Sequence, residues 1–218
     1  MNLGFPYPHP VVRPAPVQRA LDVVGGFTCG ANCRVYGSVW PYHLAGIPLP
    51  ASSDVDMQID YATWKQIPSD VKRKFTIHPP HLRYLKACWQ AKEGKRPNHG
   101  LVGQDGLPLG NIWVLKSSSA LTQHIGAPLE LIVSNTLLNP QTMNQGISVH
   151  LFNMFDDGKT LWVTQNALND LHNKELTTAP IAWADQYRRS HDHQMKHAAR
   201  MGWACRIAPE NLCFFDLA

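Results

Sequence analysis

The chain has 218 residues, enough for one sizeable domain, and a formal net charge of +4 at neutral pH. Apolar residues make up 44% of it and charged residues only 17%, a globular composition that argues against disorder. No apolar run approaches the length of a membrane span, and prolines interrupt the N-terminus too often for a signal-peptide core. We therefore expect a cytoplasmic protein with no membrane partner, whose cysteines are thiols or metal ligands.

Residues 1–20 form a proline-rich segment. Its prolines stand at positions 6, 8, 10, 14 and 16 and favour an extended polyproline conformation over a helix. We expect an N-terminal arm that is either a loose tail or lies on the body or on a partner. A single α+β domain should follow over residues 21–218. If the arm recruits a partner, the chain would be a protein-interaction module.

The stretch GGFTCGANCRVYG places Cys29 and Cys33 around a tight Gly-Ala-Asn turn. Two thiolates on one short turn can supply the first two ligands of a tetrahedral zinc site. Three intervening residues, where two are usual, weaken this signal, and a pair of small buried thiols is the alternative. The predicted cofactor is thus a structural zinc that stabilises a subregion around residues 29–33. The remaining ligands could be Cys205 and Cys213, or Cys88 with His78 or His81.

Residues 51–70 are the acidic part of the chain. Asp54 and Asp56 could support a cation, but no carboxylate cluster of recognisable metal-binding spacing follows them. We therefore interpret this stretch as a solvated loop that leads into a short helix from Tyr61 to Gln66.

Residues 72–99 reverse the charge, because many cations stand there against the single acid Glu93 and aromatic residues are interleaved among them. Cations displace condensed counterions from a polyphosphate, and aromatic faces let unpaired bases stack. The alternative is an amphipathic helix with solvated cations, and the two interpretations are compatible. The predicted phosphate contacts here are Lys72, Arg73, Lys74, Arg83, Lys86, Lys95 and Arg96, with Tyr84 and Trp89 as stacking candidates.

Two segments, 111–116 and 129–135, have the β-branched and aromatic content of strands. The clearest β signal is a hairpin over residues 147–165, where an Asp-Gly turn lies between two apolar runs. A short helix over 166–176 should follow it. The pattern predicts an α+β fold in which a small antiparallel sheet, the hairpin 147–165, packs against a few helices.

The last predicted element is a long C-terminal helix over about residues 179–201, with Pro180 in its first turn and Gly202 as its stop. One of its faces is weakly apolar, and another carries bases with few acids. A phosphate-contacting face and an ordinary solvated face both fit this pattern. The predicted phosphate contacts on this helix are Arg188, Arg189, Lys196 and Arg200.

Two basic stretches, 72–99 and 188–200, together predict a protein that binds the backbone of RNA or DNA as a subunit of a larger nucleoprotein complex. We lean against an enzyme. The alternative is a cytosolic hydrolase or nuclease that depends on cysteine or histidine. Its catalytic candidates would be Cys29, His191, His193 and His197.

In its size, its cysteines and its basic stretches, the chain resembles the small zinc-bearing subunit of plasmid-borne type IV CRISPR effectors. The spacing of Cys29 and Cys33 departs from that of a standard zinc knuckle. The resemblance implies one concrete form of the binding hypothesis, a CRISPR effector subunit, and it assigns no individual residues.

Overall fold

The computed structural model describes residues 4–25, 33–77, 111–134, 137–141, 149–178 and 188–207. These residues divide into two compact units. Unit one holds the described residues up to Pro14, from Tyr36 to Ser53, and from Leu138 onward. Unit two holds those from Ala15 to Val35 and from Asp54 to Leu137. Within the described ranges, no helix is long and apolar enough to cross a membrane.

The strands form an eight-stranded mixed sheet, so the prediction of a small antiparallel sheet was wrong. The predicted hairpin exists as two paired strands of this sheet, Met154–Asp156 and Leu161–Val163. The larger error lies at residues 55–60, which form a strand where we expected a loop. Unit two contributes, in order, most of β2 (Cys33–Tyr36) and all of β3 (Val55–Asp60), β6 (Leu129–Ser134), β5 (Asn111–Ser117) and β4 (Phe75–Ile77). Unit one contributes, in order, β1 (Phe5–Pro6), β8 (Leu161–Val163) and β7 (Met154–Asp156).

Strand β3 is buried on one side and polar on the other. Val55, Met57 and Ile59 have no exposed surface, whereas the alternate residues Asp56 and Asp60 keep part of theirs. Because successive side chains of a strand point to opposite faces, the acids share the face that the core does not occupy. β3 runs parallel to β6, and β6 and β5 are antiparallel, as are β5 and β4.

Four helices accompany these strands in the described residues of unit two. The first begins at Ala15 with Pro16 in its first turn, so the end of the proline-rich segment is helical. A second helix spans Tyr61–Gln66, which confirms the helix predicted there. The Asp60 carboxylate caps its N-terminus by accepting a hydrogen bond from the Thr63 amide at 2.6 Å. The helices are α1 (Ala15–Gly25), α3 (Tyr61–Gln66), α4 (Ser69–Lys72) and α5 (Ser119–Ile125).

Unit one is built around the β7–β8 hairpin. The Asp157 carboxylate accepts hydrogen bonds from the amides of Lys159 and Thr160 at 2.9 and 2.8 Å, which closes the turn. β1 pairs antiparallel with β8, so this part of the N-terminal segment lies along the hairpin. The other elements that the structure describes in unit one are α2 (Val39–Leu44), a 3₁₀ turn (His150–Phe152), α6 (Gln165–Asn173), β9 (Glu175–Thr178), α7 (Arg188–Met201) and β10 (Ala204–Ile207).

Helix α7 corresponds to the C-terminal part of the long helix that the sequence predicts. It ends at Met201, and Gly202 follows with a φ of +69°, a conformation that glycine adopts without strain. Residues 179–187 lie outside the described part of the chain, so the predicted start of this helix stays a prediction. After α7 the chain continues into β10, which pairs in parallel with β9.

Candidate functional site

Four charged side chains meet on one face of the strands β3, β6 and β5. Asp56 lies opposite Glu130 in the parallel pair, and Glu130 lies opposite Lys116 in the antiparallel pair. Side chains directly opposite on neighbouring strands share a face. Asp54 precedes Asp56 by two residues and reaches the same face. We refer to Asp54, Asp56 and Glu130 as the carboxylate cluster, with Lys116 as its cation.

Lys116 bridges two members of the carboxylate cluster. Its Nζ lies 2.8 Å from Oε2 of Glu130 and 3.4 Å from Oδ2 of Asp54. The side chains of these three residues are 37%, 20% and 28% exposed, respectively. The cluster can therefore be reached by a ligand from solvent, because none of these three groups is sealed into the core.

The electrostatics of the cluster are unbalanced, with three carboxylates and one ammonium group. Asp56 retains some accessible surface, although protein atoms are dense around its carboxyl group. That burial, and then the charges of Asp54 and Glu130, raise the pKa of Asp56 well above its usual range, against the opposing effect of Lys116. Burial also lowers the pKa of Lys116, but its contacts with Glu130 and Asp54 outweigh this and the pKa is raised. The site thus has surplus negative charge that a cation would relieve.

Among the described residues, no three acidic, histidine or cysteine side chains are placed to hold a metal ion by themselves. Magnesium does not require such a cage, because proteins commonly bind it through one or two carboxylates together with phosphates of the substrate. Asp54 and Asp56 provide two carboxylates on one strand, and the crowding that raises the pKa of Asp56 is the kind of charge that a divalent cation offsets. The residues present therefore fit a magnesium ion that is shared with a phosphate-bearing ligand.

The predicted phosphate-contacting residues that the structure describes are divided between the two units. In unit two, Lys72 is half-buried, and Arg73 and Lys74 are exposed just after it. In unit one, Lys196 and Arg200 are exposed on α7. Arg188 and Arg189 belong to α7, but their side chains lie outside the described part. Six predicted residues lie wholly outside it: Arg83, Lys86, Lys95, Arg96, Tyr84 and Trp89.

The candidate histidines have different environments. His197 is only 7% exposed, and its ring meets those of Tyr42 and Phe152 edge-on at centroid distances of 6.1 and 6.2 Å. The Tyr42 hydroxyl donates to the backbone carbonyl of His197 at 2.9 Å. This is the setting of a core histidine. His191 is partly exposed, and the side chain of His193 lies outside the described part.

Of the four cysteines proposed as zinc ligands, two lie among the described residues. Cys33 is buried at the start of β2, and Cys205 is exposed on β10. Burial, followed by the charges of Asp170 and Glu175, raises the pKa of the Cys205 thiol, which disfavours the thiolate that zinc binds. Cys29 and Cys213 lie outside the described residues, so the zinc site stays a prediction.

A small polar cavity of about 90 Å³ lies in unit one. Burial, and then the charge of Arg206, lowers the pKa of His150 to about 3. Burial raises the pKa of Asp170 to about 6, although the amide and hydroxyl of Thr177 donate to its carboxylate at 2.8 and 2.7 Å. The cavity is lined by His150, Asn166, Asn169, Asp170, Thr177 and Arg206.

Sequence reasoning missed the contributions of Glu130 and Lys116 to the site. Both lie in segments that we predicted as strands, but nothing local indicates that these strands pair with residues 55–60. A usable signal was present in DVDMQID, where acidic and apolar residues alternate with the period of a half-buried strand. That alternation would have placed Asp54 and Asp56 on one face.

No family model matches the chain, and no curated protein matches it. Several solved structures are similar to it, among them a tRNA-processing enzyme and an enzyme solved with CTP. A tRNA-processing enzyme in an apo form aligns with 91% of this chain and 46% of its own, at 14% identity and a TM-score of 0.54. The CCA-adding enzyme of Bacillus stearothermophilus, solved with CTP, aligns with 91% of this chain and 42% of its own, at 15% identity and a TM-score of 0.48.

This chain therefore spans less than half the length of either enzyme. At this identity, the likeness to the tRNA-processing enzyme shows a shared fold and no more. This result replaces the fold class expected from the sequence.

Proposed function

We propose that this chain transfers a nucleotidyl group to the end of an RNA, with the carboxylate cluster as its reaction site. The observation that carries the proposal is that three carboxylates share one face: Asp56 on β3, Asp54 just before β3, and Glu130 on the neighbouring strand β6. The fold adds support, because it resembles that of a tRNA-processing enzyme. It also favours RNA over DNA as the nucleic acid that the basic residues contact.

The proposed step joins a hydroxyl oxygen at the RNA end to the α-phosphorus of a nucleoside triphosphate. The bond between the α- and β-phosphates breaks, and pyrophosphate leaves. The hydroxyl proton is released to water as the new bond forms. Lys116, held 2.8 Å from Glu130, supplies a positive charge beside the phosphates. A magnesium ion bound by Asp54, Asp56 and the phosphates would neutralise the developing charge.

Nothing observed supports the narrower assignment to a CRISPR effector subunit or to a zinc protein. A non-catalytic RNA-binding role uses the same exposed cations, among them Arg73, Lys74, Lys196 and Arg200, but leaves the carboxylate cluster without a task. Clustered carboxylates repel a nucleic-acid backbone unless cations intervene. For this reason we favour the enzyme over the passive binder.

The test is extension of a short labelled RNA with each nucleoside triphosphate and magnesium, resolved on a denaturing gel. We expect the unaltered chain to lengthen the RNA. Combined Asp54→Asn and Asp56→Asn changes should slow extension by on the order of 10²-fold or more, as loss of preorganised charge at a reacting centre does. Asp22→Asn is the matched control, because Asp22 is an exposed acid on α1 that accepts from Gln18 at 2.8 Å.

Loss of activity must be separated from loss of folding. Asp56→Asn removes one of three crowded carboxylates, so we expect it to raise the melting temperature. Magnesium should raise the melting temperature of the unaltered chain and leave that of the double variant unchanged. The proposal is overturned if the unaltered chain extends no RNA with any nucleotide, or if the double variant is fully active.

A further inference from the structure

Aromatic rings and cations alternate on the surface of unit two just after β3. The Nζ of Lys65 lies 4.5 Å from the ring centroid of Tyr61, and the Nζ of Lys72 lies 5.2 Å from that of Trp64. The two contacts are linked, because the Lys72 ammonium also donates to the backbone carbonyl of Lys65 at 3.2 Å. We define the aromatic–cation patch by its members: Tyr61, Trp64, Lys65, Lys72, Arg73 and Lys74.

The patch is accessible and positively charged. Tyr61, Trp64 and Lys72 are half-buried, and its three other members are exposed. The nearby acid Asp60 is engaged as the cap of α3, where it accepts from the Thr63 amide. Asp70 is the exposed acid in the first turn of α4. Four cations thus outweigh two acids over residues 60–74, and only one of these acids is exposed.

A purely structural role for these contacts is the simpler alternative. A cation–π contact at an exposed site shifts an equilibrium by only a factor of about 2–5. A base that stacks on an aromatic ring contributes a factor of about 5–150. A nucleic-acid strand can therefore displace the lysines from Tyr61 and Trp64, and the released ammonium groups can then contact its phosphates. Solvent-accessible rings interleaved with cations are the composition that single-strand binding uses.

The patch also lies close to the carboxylate cluster along the chain. Helix α3 begins at the residue after β3 ends, and Tyr61 is five residues beyond Asp56. In an extended strand this separation corresponds to about 16 Å. We propose that the aromatic–cation patch holds the single-stranded part of the RNA whose end is extended at the carboxylate cluster. This inference rests on the proposed function and names its substrate as RNA with an unpaired end.

The binding test compares a labelled single-stranded RNA with the duplex of the same sequence, by fluorescence anisotropy at several salt concentrations. We expect the single strand to bind more tightly. Trp64→Ala should weaken its binding by about 5- to 150-fold, the worth of one stacked base. Trp64→Phe should keep most of the affinity for the single strand, because it keeps a ring on which a base can stack. Trp64→Leu keeps apolar packing without a ring, so its affinity should fall as far as that of Trp64→Ala.

The charge test uses the salt dependence of the same binding. Lys65→Gln and Lys72→Gln should each lower the slope of log affinity against log salt by about 0.7, because one phosphate contact is lost. Lys159→Gln is the matched control, since Lys159 is an exposed lysine in the β7–β8 turn of unit one. It should leave the affinity and the slope unchanged.

The extension assay separates the two proposals. In an active enzyme, the patch variants should raise KM for RNA and leave kcat and KM for the nucleotide unchanged. If the chain extends no RNA but the patch variants lose single-strand binding, the proposed function fails and the patch assignment stands. If the chain extends RNA and the patch variants keep their KM and RNA affinity, the patch assignment is overturned. Equal affinity for duplex and single strand also overturns it.

Discussion

Two buried groups around the small cavity of unit one, His150 and Asp170, should make stability respond to pH in opposite directions. His150 is 1% exposed and Asp170 is 3% exposed. The pKa of His150 is lowered from 6.5 to about 3, and that of Asp170 is raised from 3.8 to about 6. Each shift couples folding to proton binding, because the unfolded chain titrates near the ordinary values.

The signs follow from which state holds more protons. Between pH 6.5 and 3, the unfolded chain protonates His150 while the folded chain does not, so stability is lost as the pH falls through this window. Between pH 6 and 3.8, the folded chain protonates Asp170 while the unfolded chain does not, so stability is gained as the pH falls. The two contributions partly cancel.

The magnitudes can be worked out for a change from pH 7 to pH 5. With about 1.36 kcal/mol for each pKa unit, His150 removes about 1.9 kcal/mol and Asp170 adds about 1.3 kcal/mol. The unaltered chain should therefore lose about 0.6 kcal/mol from this pair. Asp170→Asn should lose about 2 kcal/mol, whereas His150→Gln should gain about 1.3 kcal/mol. Other titrating groups add the same background to all three proteins.

Equilibrium urea unfolding at the two pH values, followed by tryptophan fluorescence, measures these differences. The comparison uses each protein's own change with pH, so a uniform loss of stability in a variant does not affect it. His172→Gln is the control, because His172 is an exposed histidine on α6 and should follow the unaltered chain. Identical pH dependence in the unaltered chain and both variants would refute the reasoning.

Two further predictions concern single contacts, and urea unfolding tests both. Arg13→Gln should lower the free energy of unfolding by about 2 kcal/mol, because it removes the guanidinium whose Nε lies 2.5 Å from the carboxylate of Asp156, a residue with only 1% of its surface exposed. If the free energy of unfolding stays unchanged within experimental error, the ion pair between Arg13 and Asp156 does not stabilise the fold. Gly126→Ala should cost about 2 kcal/mol, because Gly126 has a φ of +84° and an added Cβ would lie 2.7 Å from Nη2 of Arg19. That side chain is not free to move aside, because its Nε donates to the backbone carbonyl of Ile125 at 2.6 Å. Gly46→Ala, at +69° with open space around it, should cost only about 1 kcal/mol, and equal losses would exclude a steric contribution from Arg19.

Local signals predicted several elements well. The helix Tyr61–Gln66 has the predicted bounds, and the strands at 111–117 and 129–134 lie within one residue of those expected. These elements are set by near neighbours, through an Asp cap in the first case and β-branched content in the others. The Asp-Gly turn likewise lies between two paired strands.

Strand β3 shows why other features escaped. Its acids suggested a solvated loop, but Val55, Met57 and Ile59 are completely buried between them. A strand with one polar face can carry as many charged residues as a loop. Only the alternation of polar and apolar residues distinguishes such a strand from a loop. Without this strand, the expected fold lacked the partner of β6. The sequence analysis therefore could not place Glu130 and Lys116 beside Asp54 and Asp56.

The sequence by itself determined the short-range features of this protein, because helix caps, turns and strand composition act between residues close in the chain. Only the tertiary structure decided that Glu130 lies beside Asp56 and that Lys116 lies beside Glu130. Those neighbours are distant in sequence, and their register depends on which strands pair within the whole sheet, so no local pattern encodes it.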